Sequence, residues 1–131
     1  MSKQAVYPNQ GGAPVGGAPY TPAVKAGDTV YISGQLGLDP ATGKPFEAFE
    51  AQVEGAIDGL RRLCEAAGGS LDSIVKTTVF LADLGQFSQL NTIYAKHFDG
   101  QVRPARSTFQ VAALPLGAAV EIEAVAVIHG G

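Results

Sequence analysis

The stretch Phe49-Glu50-Ala51-Gln52-Val53-Glu54-Gly55-Ala56-Ile57-Asp58-Gly59-Leu60-Arg61-Arg62-Leu63-Cys64-Glu65-Ala66-Ala67, closed by Gly68-Gly69 and followed by Ile74-Val75-Lys76-Thr77-Thr78-Val79-Phe80-Leu81, changes its hydrophobic period within one short span. In the first part Phe49, Val53, Ala56, Leu60, Leu63 and Ala67 recur at steps of three and four, while Glu50, Glu54, Asp58, Arg61, Arg62 and Glu65 fall largely elsewhere. That spacing predicts an amphipathic helix running from Glu47. Gly68-Gly69 supplies a residue free to enter the left-handed C-terminal cap, so the helix ends there. From Ile74 the apolar positions alternate, which is the period of a strand. A helix running straight into a strand sets the class as α+β.

Outward from this pair the pattern repeats. Upstream, Thr29 to Leu36 reads as a strand, and Asp39-Pro40-Ala41-Thr42-Gly43-Lys44 is a turn by composition. Further back, Gly11-Gly12-Ala13-Pro14-Val15-Gly16-Gly17-Ala18-Pro19 contains the tetrad Gly-Gly-Ala-Pro twice. No strand leads into it and no Gly-Lys-Ser/Thr closes it, so it is not a phosphate loop. It reads as an extended segment that lays Tyr20 against another part of the fold. Downstream, Ala82 to Gln86 connects to a second amphipathic helix marked by Phe87, Leu90, Tyr94 and Phe98 and closed by Gly100. Two strands follow, from Ala105 and from Val120. With an N-terminal strand or hairpin added, the order is ββαβαββ, which implies two helices on one face of a mixed sheet. The other sheet face is left without elements to cover it, and oligomerisation through it is the physical expectation.

The two C-terminal strands carry the chemistry. From Ala105 to Val111 one face presents Arg106, Thr108 and Gln110, and the other Ser107, Phe109 and Val111. From Val120 to Ile128 one face is wholly apolar, and the other presents Glu121, Glu123, Val125 and Val127. Leu114-Pro115-Leu116-Gly117 between them can reverse the chain, which makes antiparallel neighbours the economical topology and would bring Arg106 near Glu121. Charges in strands this apolar are paired, solvated or functional, because an unpaired buried ion costs several kcal/mol. Three readings stay open at this point: a structural ion pair, a solvated sheet face, and a small-molecule site where a guanidinium holds a carboxylate and a glutamate handles a proton or a water.

Composition narrows the field. At 131 residues the chain fits a single domain, residues 1–131 with 1–19 as a Gly/Pro-rich N-terminal segment, and a domain of this size buries about two thirds of its unfolded surface. The net charge is −3 and the nine basic residues are scattered, so no electrostatic footprint for nucleic acid is present. One cysteine, Cys64, excludes an internal disulfide and lies on the apolar side of the first helix, as a buried spectator thiol. No apolar run approaches the ~20 residues of a membrane span, and Met1-Ser2-Lys3-Gln4 opens no signal-peptide h-region; the expectation is a soluble, cytoplasmic protein that binds neither membrane nor nucleic acid. His97, on a helix beside Phe98, reads as a packing residue and His129 sits in a Gly-rich tail. No His/Cys/Asp cluster has metal spacing.

These segments together carry a resemblance. Pro104-Ala105-Arg106-Ser107, Leu114-Pro115 and Val120-Glu121-Ile122, preceded in order by Ala18-Pro19-Tyr20, Val30-Tyr31-Ile32-Ser33-Gly34-Gln35, Val75-Lys76-Thr77-Thr78-Val79-Phe80-Leu81 and Asn91-Thr92-Ile93-Tyr94-Ala95-Lys96-His97-Phe98, resemble the signature of the RidA/YjgF family of reactive-intermediate deaminases, also known as the L-PSP endoribonuclease family. The resemblance runs from about Tyr7 to Val127. It implies a chorismate-mutase-like fold assembled as a homotrimer with sites between subunits. It also implies hydrolysis of enamines and imines such as 2-aminoacrylate or 2-iminopropionate, released by pyridoxal-phosphate enzymes, to the 2-keto acid and ammonia without a cofactor.

Carried over position by position, the resemblance makes Arg106 the clamp on the substrate carboxylate and Glu121 the residue that orients or deprotonates water. The backbone NH of Thr108 would join the clamp. Tyr20 would close over the substrate from the adjacent subunit, with Ser33 and Gly34 lining the pocket. Asn91 belongs to the same pocket by resemblance, although its residue type alone reads as a structural side chain bonding backbone. With Arg106 close by, Glu121 should have its pKa lowered. Three departures from the family pattern stand out: Thr108 where many active members carry cysteine, Ala18 where glycine is common, and Thr21-Pro22 in place of Ser-Gln. Two other functions compete: a non-catalytic sensor of a small carboxylate or keto acid in the same cleft, and a ribonuclease or translation inhibitor, which the acidic pI disfavours.

Overall fold

In the computed structural model, which describes residues 2–8 and 14–129, ten regular elements follow the chain. They are β1 (Gln4–Val6), β2 (Ala23–Ala26), β3 (Thr29–Gln35), β4 (Leu38–Asp39), β5 (Lys44–Pro45), α1 (Phe49–Ala66), β6 (Ile74–Leu81), α2 (Phe87–His97), β7 (Ala105–Gln110) and β8 (Val120–Val127). The expected ββαβαββ core is present, with β1 and the small β4–β5 hairpin as additions. The first Gly-Gly-Ala of the repeated tetrad lies outside the described residues.

Six strands form one sheet in the order β1-β2-β3-β8-β6-β7. Every pairing is antiparallel except β6 with β7, which is parallel and joined through α2. The expected antiparallel pairing of the two C-terminal strands is therefore corrected: β6 lies between them. The physical reason is the connection. Residues 111–119 do reverse the chain, with Leu116 and Gly117 both in the left-handed region at φ 60° and 70°, but a link of that length also steps over one strand about 4.8 Å wide. Turn chemistry dictates a reversal, not which neighbour the returning strand pairs with.

The helices cover one face. From α1, Val53, Ala56, Ile57, Leu60, Leu63 and Cys64 are buried against Val30, Ile32, Val79, Leu81, Val120, Ile122, Ala124 and Ala126, and α2 adds Leu90, Ile93 and Tyr94. Burying each large aliphatic side chain contributes roughly 1.5–3 kcal/mol. The C-terminus of α1 closes as expected, with Gly68 at φ 95° and the Gly69 N–H donating to the Cys64 carbonyl at 2.8 Å. At the start of α1, Gln52 is buried, and both ends of its amide are bonded. It donates Nε2 to the Phe46 carbonyl at 2.7 Å and accepts from the Ala119 amide at 2.8 Å, tying the hairpin and the approach to β8 to the helix. The opposite sheet face carries Tyr31 and Phe109, both more than half exposed.

Candidate functional site

Arg106 stands on β7, the edge strand, opposite Thr77 of β6. Alternation places its side chain on the helix side, where α2 presents Phe87, Asn91 and Tyr94 along one stripe. The guanidinium carbon lies 4.8 Å from the Tyr94 ring centroid and 5.4 Å from that of Phe87, and Nη2 donates to Asn91 Oδ1 at 2.7 Å. Among the described residues no carboxylate pairs with it, the ion pairs being Asp58 with Arg61 and Arg62, Glu54 with His97, and Asp28 with His129. Ring faces attract a cation but do not neutralise it. The charge and most of the five N–H donors stay available to an anionic ligand.

The edge strand adds a donor. The Val111 amide donates to the Leu81 carbonyl at 2.9 Å, and period two then turns the amides of 107 and 109 toward β6 and those of 106, 108 and 110 toward the free edge. The Thr108 N–H thus faces outward beside Arg106. Two donors from one strand suit a carboxylate held bidentately.

Glu121 is elsewhere. It sits opposite Phe80 on β8, three residues along β6 from the level of Arg106, about 10 Å, and it points from the other face of the sheet. There it lies over Gly34, where a Cβ would collide with its carboxylate. Gly34 belongs to an irregularity in β3, where the register with β8 shifts between Ile32 and Gln35, the kind of bulge that re-aims side chains. Ser33 anchors it: its hydroxyl donates to the Thr21 carbonyl at 2.7 Å and its amide to the Pro22 carbonyl at 2.9 Å. These bonds hold Tyr20, 44% exposed, beside the bulge. Tyr20 and Gly34 line one groove of about 1330 Å³ that runs along α1.

Within one chain the expected residues therefore form two groups: Arg106, Asn91 and Thr108 at the helix-side edge, and Glu121 over the β3 bulge at Gly34, with Ser33 and Tyr20 beside that bulge. The expectation that Arg106 and Glu121 meet is corrected for the single chain, because one strand and one sheet face separate them. The expected lowering of the Glu121 pKa is corrected with it. Burial, and then the neighbouring Glu123, raise it. Asn91 bonds a side chain rather than backbone. Sequence reading missed the aromatic pair under Arg106, although Phe87, Asn91 and Tyr94 at steps of four and three already marked one helical face. Among the described residues no cluster of three His, Cys, Asp or Glu could hold a metal, and no helix is long and apolar enough to cross a membrane.

Residues 11–128 match the family model described as Endoribonuclease L-PSP. A mouse protein named 2-iminobutanoate/2-iminopropanoate deaminase is 47% identical over 117 residues, covering 88% of this chain and 85% of its own length. Reactive Intermediate Deaminase A, chloroplastic, of Arabidopsis thaliana is 48% identical over 117 residues; the match covers 88% of this chain and 62% of that longer protein. The crystal structure of RidA from an Antarctic Psychrobacter superposes with a TM-score of 0.86 at 46% identity, over 95% of this chain and 99% of that one. Fold, site-bearing segments and relatives agree, and the chain belongs to the RidA/YjgF family, the family of the Endoribonuclease L-PSP model.

Proposed function

We propose that this protein is a cofactor-independent deaminase that hydrolyses enamine and imine intermediates of small 2-amino acids, of the 2-aminoacrylate and 2-iminopropionate type, to the 2-keto acid and ammonia. The observation that carries the substrate class is Arg106: a cation without a carboxylate partner among the described residues, beside an outward-facing strand amide. The guanidinium and the Thr108 N–H hold the substrate carboxylate, which removes the translational freedom of the encounter. An enamine first takes a proton at its β-carbon to become the imine. Water adds to the imine carbon, its proton passes to nitrogen, and the carbinolamine collapses to the ketone as ammonia leaves. Glu121 orients that water and carries the proton between oxygen and nitrogen.

One chain does not bring these groups together, so the proposal includes a second copy. A homotrimer, in which the helix-side edge of one subunit faces the open sheet face of the next, would unite Arg106, Asn91 and Thr108 with Glu121, Ser33, Gly34 and Tyr20. The exposed Tyr31 and Phe109 support burial of that face. A cytoplasmic location belongs to the same proposal.

The test is hydrolysis of 2-iminopropionate generated in situ from an amino acid, with semicarbazide as trap. Wild type should suppress semicarbazone formation, and Arg106→Ala should not while keeping its fold and assembly. Equal trapping with both proteins would overturn the deaminase reading. Saturable binding of 2-oxobutanoate without acceleration would assign a carboxylate-binding protein instead.

A further inference from the structure

Thr77 is the buried polar residue hardest to explain by packing. It is fully buried at the middle of β6, where valine would have the same shape and no hydroxyl to desolvate, and a buried hydroxyl is costly unless bonded. Its Oγ1 lies 2.8 Å from the Tyr94 hydroxyl. Tyr94 is itself only 5% exposed, and its ring stacks on Phe98 with centroids 4.3 Å apart. The other side of this arrangement is Arg106, in register with Thr77 and 4.8 Å from the Tyr94 ring. Sheet, hydroxyl tether, ring and guanidinium thus form one continuous stack.

We propose that Tyr94 and Thr77 are positioning residues for Arg106: the buried hydroxyl pair fixes the tilt of the Tyr94 ring, and the ring fixes the plane of the guanidinium so that its unused N–H edge meets a carboxylate. This inference rests on the reading of Arg106 as the carboxylate clamp. A guanidinium on a flexible stem otherwise loses rotamer freedom when it binds, and preorganisation removes that cost from ligand binding. Asn91 and Phe87 complete the cradle: Asn91 takes Nη2 and Phe87 supplies a second face. A phenol raised above its ordinary pKa by burial keeps its proton through the neutral range, so the tether persists across that range.

The experiment measures 2-oxobutanoate affinity, together with KM and kcat on 2-iminopropionate, for wild type, Thr77→Val, Tyr94→Phe, Tyr94→Leu and Arg106→Ala, all as the full assembled protein. Thr77→Val and Tyr94→Phe should raise Kd and KM by about 3- to 10-fold with kcat within about twofold, and Tyr94→Leu by more than about 10-fold. In an Arg106→Ala background the same substitutions should change Kd no further. The Arg106 Nε–H resonance, narrow in wild type, should broaden in Thr77→Val, a change that loss of stability alone would not produce. If Arg106→Ala weakens binding while Thr77→Val and Tyr94→Phe bind as wild type, the positioning role is overturned and the clamp stands. Unchanged affinity in Arg106→Ala overturns the clamp, and the positioning role with it. Thr77→Val and Tyr94→Phe keep the side-chain volume, so the test does not depend on whether Tyr94→Leu folds.

Discussion

At Arg106 the chain sets a guanidinium against two aromatic rings and one amide oxygen, and no carboxylate neutralises it among the described residues. A fork and a point charge are then distinguishable. Arg106→Lys keeps the charge but loses the bidentate geometry, and KM for 2-iminopropionate should rise by roughly 10- to 100-fold, as steady-state kinetics would show. Glu121→Gln should behave differently, lowering kcat by roughly 10- to 100-fold with little change in KM, since the amide still contacts a water but cannot take its proton. Cys64 tests the core. It is fully buried, and burial with Glu65 nearby pushes its thiol up to about 11. The native protein should be inert to a thiol reagent at pH 8 and react only on unfolding; rapid native labelling would contradict that burial. Both charged residues were legible in the sequence because a charge in an apolar strand needs a reason. That they face apart was not legible, since the faces of two strands are related only through the strand between them.

Helix α1 and its crossing over the sheet were legible to within two residues, because a period of 3.6 and a glycine stop are local signals. The closeness of that crossing was not. A Cβ on Gly37 would run into the backbone of Gln52, and one on Gly55 would meet the Gly37 Cα, so the chain between β3 and β4 and the helix touch backbone to backbone. Gly37→Ala or Gly55→Ala should therefore destabilise by about 1–3 kcal/mol, measured by denaturant titration, whereas alanine at the exposed Gly43 meets no neighbour and is opposed only by its φ of 72°. Leu60→Ala, in the centre of the same helix and fully buried, should cost about 2–5 kcal/mol. The insertion of β6 between β7 and β8 was hidden for a related reason. Hydrophobic alternation shows that a strand exists, and partner choice depends on which long-range pairing buries most surface.

For the whole molecule, the open sheet face is decisive. It holds Glu121 at a pKa raised by burial and by Glu123, and the proposed assembly brings Arg106 of a second copy to it. The lone subunit holds the Glu121 proton more tightly than usual, whereas a facing guanidinium favours the ionised form. Association therefore releases protons. It should tighten as pH rises from the ordinary carboxylate range through the raised Glu121 titration and change little above it. Sedimentation equilibrium would show this, and Glu121→Gln should flatten the dependence. The central claim, that each reaction site takes Arg106 from one copy and Glu121 from another, is tested most directly by mixing Arg106→Ala and Glu121→Gln subunits after co-expression. In a randomly mixed trimer about a quarter of the clefts regain both native residues, so deaminase activity should rise well above either parent. A mixed assembly no more active than the average of its parents would contradict it.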